Sequence, residues 1–110
     1  MKHGLSESTV ERIQSVLAHF PDVEKAVLYG ARAMGTHRRG SDIDLTLCGS
    51  RLGQTQLARI DHALDDLLLP YKIDLSEMAA VTHPALLDHM RRVGLVFYEK
   101  SAAPSASLRA

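Results

Sequence analysis

The stretch of sequence that most limits the possible folds is the alternating segment Asp42–Cys48. In a β-strand, successive side chains point to opposite faces, so one face of this segment would be apolar. Asp44 would lie on the other face, although aspartate is depleted in strands. The segment therefore predicts a strand that packs its apolar face against helices, while its polar face, which carries Asp44, is not part of the core. The apolar residues are Ile43, Leu45 and Leu47, and the polar ones are Asp42, Asp44, Thr46 and Cys48.

The remaining elements follow from hydrophobic periodicity and from helix start and stop signals. Ser8 with Glu11 forms a capping-box pattern that predicts the start of a first helix, which Pro21 ends. This order of elements predicts an α/β or α+β fold, with a small mixed sheet and helices packed on one face. The other predicted elements are a strand at Val23–Tyr29, an apolar helix stripe from Leu57 to Leu68, a strand at Tyr71–Leu75, a helix from Pro84 to Val93 and an extended piece at Leu95–Tyr98.

Length and composition limit the function classes. A chain of 110 residues has room for one domain, which we place at 1–100, followed by an Ala- and Ser-rich tail at 101–110 that we expect to be disordered. The single Cys48 excludes an intrachain disulfide, and no segment is long and apolar enough to span a membrane, so we expect a cytoplasmic protein. Thirteen basic and thirteen acidic residues cancel, which argues against a broad surface for nucleic acid or membrane.

Three carboxylates are candidates for the chemistry. Asp74 has the same polar-face phase in its strand as Asp44 has in the preceding one, whereas Asp42 taken alone would be read as a turn residue. Carboxylates that converge from two adjacent strands make the all-oxygen ligand set that suits Mg²⁺ or Mn²⁺. Pairs of such ions promote in-line displacement at phosphorus.

A basic connection lies between the first two strands. The segment Gly30–Ser41 contains three arginines and no acid. Gly30 allows a ligand to approach the backbone closely, and residues 31–34 can begin a short helix. Arg32 carries a donor fork that suits phosphate oxygens.

Together these residues resemble a known family. Gly30-Ala31, then ten residues, then Asp42-Ile43-Asp44 is similar to the Gly-Ser-x10-Asp-x-Asp motif of the DNA polymerase β-like nucleotidyltransferase superfamily. The chain length and the continuation at 32–35 look most like the minimal nucleotidyltransferases. The resemblance covers Val23 to Leu75.

The resemblance implies both an activity and a set of site residues. The activity is transfer of a nucleoside monophosphate, usually AMP from ATP, to a hydroxyl, with Mg²⁺ or Mn²⁺ as cofactor. Asp42, Asp44 and Asp74 would be the catalytic and metal-binding carboxylates, with Asp74 also the base for the attacking hydroxyl. The nucleotide-binding residues would be Gly30, Ala31, Arg32 and Ser41.

The resemblance also implies a partner. Minimal nucleotidyltransferases are typically encoded beside a HEPN-domain protein, as the antitoxin of a toxin–antitoxin module, and are thought to adenylylate a tyrosine of that toxin. The alternative assembly is a homodimer with a small-molecule acceptor. Because Ala31 replaces the usual motif serine, an alternative function is a binding module with little or no turnover that neutralises its partner by complex formation. A nucleic-acid-binding regulator is disfavoured by the zero net charge.

Overall fold

The computed structural model describes residues 2–100 and has alternating helices and strands. The predicted disordered tail at 101–110 lies outside the described residues. No helix in the described part is long and apolar enough to cross a membrane. Two 3₁₀ turns, Lys2–Gly4 and Met78–Ala80, accompany the main elements. These are α1 (Glu7–Ala18), β1 (Lys25–Tyr29), α2 (Ala31–Met34), β2 (Ile43–Cys48), α3 (Gln54–Asp65), β3 (Ile73–Glu77), α4 (Pro84–Val93) and β4 (Leu95–Glu99).

The four strands form one mixed sheet in the order β3-β2-β1-β4. β1 is antiparallel to β2 and to β4, whereas β2 and β3 are parallel because α3 carries the chain back between them. The register places Tyr29 opposite Asp44, and Asp44 opposite Asp74. The three side chains therefore lie in one row across the same face of the sheet.

The apolar face of the sheet is covered by α1 and α3. Ile13 and Leu17 from α1, and Ile60 from α3, are completely buried there. They pack against the inward residues of the two central strands in a single core cluster. The cluster residues of these two strands are Ala26, Leu28, Ile43, Leu45 and Leu47.

Helix α4 lies against the other face of the sheet. A Cβ atom on Gly94, at the end of α4, would collide with the side chain of Val27. His89 of α4 packs edge-on against Tyr29, with ring centroids 6.2 Å apart. Since Val27 and Tyr29 share the face that carries Asp44, α4 shields one side of the polar row. The predicted mixed sheet and α/β class are confirmed. The prediction that the helices pack on one face is wrong for the last helix, because α4 lies on the face opposite to α1 and α3.

Several element boundaries differ from the predicted ones; β1, for example, begins at Lys25 rather than Val23. The cap of α1 is Ser6, whose hydroxyl accepts a hydrogen bond from the Thr9 amide at 3.1 Å, so the helix begins before Ser8. Strand β3 begins at Ile73 rather than Tyr71. The apolar stripe of α3 does not extend to Leu68, because the helix ends at Asp65 and Leu68 is 87% exposed in a left-handed conformation with φ of 54°.

Candidate active site

The site is built around the turn that follows β1. Gly30 has φ of 78°, a conformation that disfavours other residues, and it is the cap of α2. A Cβ atom at this position would collide with Oδ2 of Asp44. Glycine is therefore required here for two reasons, the backbone conformation and the space taken by the carboxylate.

The predicted carboxylates lie at the beginning of β2 and β3. Asp44 and Asp74 are paired across the parallel strands, and Asp42 precedes β2 by one residue. Asp42 and Asp74 are exposed, and Asp44 is half-buried. Burial raises the pKa of Asp44, and the charges of Asp74 and Asp42 raise it further.

These carboxylates form no ion pair with a basic side chain among residues 2–100. The ion pairs in this part of the chain are His62–Asp66 and Arg92–Asp88, both on helix surfaces. Asp44 is half-buried near Asp74 and Asp42, and like charges nearby disfavour its ionisation. The arrangement is consistent with a site that receives its positive charge from a ligand.

Comparison with known proteins then identifies the family. The family model for "Polymerase beta, Nucleotidyltransferase" matches residues 11–103. The chain belongs to this nucleotidyltransferase family. No curated protein matches it in sequence.

Several solved structures share the fold of this nucleotidyltransferase. A toxin–antitoxin complex with AMP-PNP has a TM-score of 0.68 at 19% identity, covering 88% of this chain and 78% of that one. A complex of tri-AMPylated HEPN toxin with MNT antitoxin from Shewanella oneidensis has a TM-score of 0.65 at 14% identity, covering 93% and 79%. The MntA–HepT toxin–antitoxin complex has a TM-score of 0.65 at 16% identity, covering 92% and 79%.

The carboxylates of this nucleotidyltransferase suit a hard divalent cation in their chemistry. Oxygen ligands are what Mg²⁺ and Mn²⁺ prefer, and Asp42, Asp44 and Asp74 are not neutralised by the described part of the chain. Within residues 2–100, however, no three His, Cys, Asp or Glu side chains are gathered closely enough to hold an ion as they stand. The donor set fits, and binding an ion would require the three side chains to turn toward a common point.

Arg32 occupies a different position from the one predicted for a phosphate ligand. It is only 2% exposed, and its Nη1 donates to the carbonyl of His3 at 2.8 Å. Its Nε and Nη2 both donate to the carbonyl of Ser41, at 3.1 and 2.9 Å. The guanidinium lies over the Tyr71 ring, 4.9 Å from the centroid. In this conformation Arg32 connects the two ends of the basic segment to the N-terminal turn, which favours a positioning role over direct contact with a nucleotide.

The other predicted nucleotide-binding residues border the same segment. Ala31 is half-buried at the start of α2 and has no hydroxyl to offer. The Ser41 hydroxyl accepts a hydrogen bond from the Arg38 amide at 2.8 Å, which closes the exposed end of the segment. Ala31 follows Gly30 and Ser41 precedes Asp42 in the chain, and the bonds from Arg32 to the Ser41 carbonyl hold the two ends of the segment in one region.

Sequence reasoning missed His89. Its Nε2 accepts a hydrogen bond from the Gly30 amide at 3.1 Å, which requires a neutral imidazole with its hydrogen on Nδ1. His89 therefore connects α4 to the turn of the family motif. A lone histidine on an amphipathic helix shows no metal-ligand spacing, and the contact spans 59 positions of sequence, so no local pattern indicates it.

Tyr29 was also not singled out from the sequence. It is buried, 9% exposed, in the row that contains Asp44 and Asp74. Burial raises the pKa of its hydroxyl, and the two aspartates raise it further; the Ser76 side chain opposes them, although its hydroxyl has no hydrogen bond of standard geometry in the described residues. The phenol stays protonated at neutral pH and acts as a polar wall of the site.

The hydrogen bond between His89 and Gly30 gives a direct test of the turn. We expect His89→Leu to lower the free energy of unfolding by ~1–2 kcal/mol, because the Gly30 amide loses its acceptor. His89→Gln should retain part of this stability, since its side-chain oxygen can accept the same bond. Urea unfolding measures the stability of both variants. The hydrogen bond itself is tested by hydrogen exchange of the Gly30 amide, which should be faster in the Leu variant. Equal exchange rates in the wild type and the Leu variant would contradict the bond.

Proposed function

We propose that this protein is a metal-dependent nucleotidyltransferase that transfers AMP from ATP to a hydroxyl, namely a tyrosine of a HEPN-domain toxin, and that it acts as the antitoxin of a cytoplasmic toxin–antitoxin pair. The observation that carries the proposal is the in-register pair Asp44 and Asp74 beside the Gly30 turn, with no neutralising cation in the described residues. Membership of the family supports the reaction class.

The reaction is a displacement at the α-phosphorus of ATP. The acceptor hydroxyl oxygen forms a new bond to phosphorus, and the bond to the pyrophosphate oxygen breaks on the opposite side. Asp74, the exposed carboxylate on the edge strand β3, accepts the hydroxyl proton, which then passes to water. The products are an AMP ester of the acceptor and pyrophosphate.

The Gly30 turn and the basic segment provide the phosphate side of the site. Residues 30–41 contain Arg32, Arg38 and Arg39 and no acid. Arg38 and Arg39 are exposed, whereas Arg32 is buried and stabilises the shape of the segment through its bonds to the carbonyls of His3 and Ser41. Ala31 offers no side-chain donor, so backbone amides replace the motif serine. Losing a hydrogen bond to a charged group costs ~1.5–3 kcal/mol, which predicts weak ATP binding rather than none.

A divalent ion completes the charge balance. Asp42, Asp44 and Asp74 would hold Mg²⁺ or Mn²⁺, which when bound offsets the negative charge of the phosphates and of the attacking oxygen. The three side chains would bind and orient the ion, and one of them, Asp44, is half-buried.

The partner is proposed from the structural neighbours. The MNT antitoxin from Shewanella oneidensis is bound to a HEPN toxin that is tri-AMPylated, and another neighbour contains AMP-PNP. By analogy we assign this chain a HEPN-domain partner, encoded by the adjacent gene, and ATP as the donor. A direct role in nucleic-acid binding is disfavoured by the zero net charge.

The test is a transfer assay with the neighbouring gene product. The purified chain, the neighbouring protein, Mg²⁺ and ATP labelled at the α-phosphate should produce label on a tyrosine of that protein, located by mass spectrometry, and EDTA should abolish it. ATP labelled at the γ-phosphate is the matched control and should transfer nothing. Label from γ-ATP, or no transfer with any divalent ion, would contradict the proposal.

The second candidate function is a binding module with little turnover. Ala31 in place of serine favours it, as do the three carboxylates that are not gathered to one point. In that case the chain would bind and neutralise its partner without transferring label. Neutralisation that survives the combined Asp42→Asn and Asp44→Asn substitutions would favour this function over the first.

A further inference from the structure

Tyr29 is a buried tyrosine in a row of the sheet that is otherwise acidic. Its register partner on β2 is Asp44, and the register partner of Asp44 on β3 is Asp74. The ring is covered on one side by His89 of α4, which packs edge-on against it. A buried phenol usually finds a hydrogen-bond partner for its hydroxyl, so the surroundings of this hydroxyl determine what Tyr29 can do.

The phenol of Tyr29 reaches across β2 toward the edge strand. Its hydroxyl lies near the side chain of Ser76, which follows Asp74 by two residues and shares its face of β3. Neighbouring strands are about 4.8 Å apart, so a side chain that starts on β1 and meets β3 passes over β2. The charges of Asp44 and Asp74 both act on the same hydroxyl. The Tyr29 hydroxyl is therefore within range of Ser76 and of both carboxylates.

The hydroxyl of Ser76 is a donor available to the phenol. Its oxygen is buried and forms no hydrogen bond of standard geometry within residues 2–100. An unpaired buried hydroxyl costs free energy, and a small rotation of Ser76 or of the phenol would pair the two groups. A phenol oxygen can accept one hydrogen bond while its own hydrogen is donated elsewhere. When Ser76 donates to Tyr29, the phenolic hydrogen is left for the carboxylates.

The position of Asp44 shows what such a donor does for the site. Its Oδ2 lies against Gly30, where a Cβ atom would collide with it, so this carboxylate is turned toward the end of β1. Asp74 is on β3, on the other side of β2. To hold one ion, the two like charges must approach each other, and their repulsion opposes this. A neutral donor within range of both offsets part of that repulsion without adding a charge.

We propose that Tyr29 is a positioning residue, whose hydroxyl accepts a hydrogen bond from Ser76 and donates one to the Asp44–Asp74 pair, so that the pair can converge on one divalent ion. The ion itself rests on the proposed function, whereas the hydrogen bond to the carboxylates does not require it. Removing a hydrogen bond to a metal-binding carboxylate typically lowers metal affinity about 10–100-fold. The role of Tyr29 can therefore be measured both with and without an ion.

The first measurement is the Kd of Mn²⁺ for the full chain by isothermal titration calorimetry. We expect Tyr29→Phe to weaken binding about 10-fold or more, and Ser76→Ala to weaken it less, because the phenol then keeps its own donor. Tyr98→Phe is the matched control, since it removes the same atom from a half-buried tyrosine that packs against the core on the opposite face, and it should leave the Kd unchanged. Circular dichroism verifies folding. Wild-type Mn²⁺ affinity in Tyr29→Phe would overturn the proposal, and if that variant does not fold, Ser76→Ala decides in its place.

The second measurement is thermal unfolding in EDTA, which does not depend on the proposed function. Tyr29→Phe is combined in turn with Asp44→Asn and with Asp74→Asn. Hydrogen bonds to a charged acceptor are roughly twice as strong as neutral ones, so the loss in Tm caused by Tyr29→Phe should shrink in the background that lacks the accepting carboxylate. The effect of Tyr98→Phe should be the same in every background.

The two measurements separate the hydrogen bond from the ion. Equal losses in Tm from Tyr29→Phe in all three backgrounds would overturn the bond to the carboxylates. If the loss shrinks in one background but the wild type binds no divalent ion, the proposed function fails while the hydrogen bond of Tyr29 stands.

Discussion

The Asp44→Asn variant is expected to lose transfer activity by at least ~10²-fold and yet, in buffer without divalent ions, to unfold at a higher temperature than the wild type. The activity falls because Asp44 is paired with Asp74 and lies beside the Gly30 turn. The stability rises because burial and the two neighbouring carboxylates disfavour the ionised form of Asp44, as its raised pKa indicates. An amide of the same shape has no charge to bury.

The pH dependence follows from the same raised pKa. The folded protein holds the Asp44 proton more tightly than the unfolded chain does, so ionisation of this group lowers the free energy of unfolding. The loss begins near the ordinary aspartate value of 3.8 and is complete above the raised pKa of the folded protein. The difference in Tm between Asp44→Asn and wild type should be small in acid and largest near neutral pH. Thermal unfolding in EDTA over this pH range measures it, with Glu11→Gln as an exposed control outside the site.

Adding a divalent ion should reverse the order of the two proteins. An ion that binds only the folded state adds about 2.7 kcal/mol at 100 times its Kd. We expect Mg²⁺ or Mn²⁺ to raise the Tm of the wild type and to have little effect on Asp44→Asn. Equal Tm values of the two proteins at every pH in EDTA would show that the charge of Asp44 is compensated. An equal response to the ions would exclude Asp44 as a ligand.

The carboxylate pair shows how much the sequence could predict. The alternation of residues 42–48 and the strand phase of Asp74 were sufficient to place Asp44 and Asp74 on one face, because side chains in a strand repeat every second position. Their direct pairing also needs the parallel register of β2 and β3, which depends on where α3 ends and β3 begins. The start of β3 was predicted two residues too early. The sequence pattern therefore predicted the face on which the two aspartates lie, whereas their register depends on the tertiary structure.

Other contacts of the site depend on residues far apart in sequence. His89 meets Gly30 only because α4 crosses the functional face, and one histidine on a helix has no periodic pattern that would indicate this. The helix cap illustrates a local limit as well. Ser6 and Ser8 are both suitable cap residues, and the choice of Ser6 goes with the burial of the preceding residue, Leu5, which is a property of the tertiary structure.

Arg32→Met is expected to lower the free energy of unfolding by ~2–4 kcal/mol, because two backbone carbonyls lose a charged donor inside the protein. Arg32 bonds the carbonyls of His3 and Ser41 and lies over the Tyr71 ring, and it is 2% exposed. For a domain of this size such a loss lowers Tm by at least ~8 °C. The stability of Arg32→Lys should lie between those of the wild type and Arg32→Met, since one ammonium cannot replace the planar fork that bonds Ser41. Urea unfolding measured by circular dichroism gives the values, with Arg59→Met as the exposed control.

The same variants separate the two roles of Arg32. A buried arginine between an N-terminal turn and the basic segment affects the nucleotide through the shape of that segment, so weaker ATP binding should accompany the loss of stability. An arginine that contacts phosphate directly would give the opposite pattern, with weaker ATP binding at unchanged stability. The family motif favours phosphate contact from sequence alone, whereas the hydrogen bonds to His3 and Ser41 favour positioning. Unfolding and ATP-analogue titrations on Arg32→Lys decide between them, because this variant keeps the positive charge and loses only the fork.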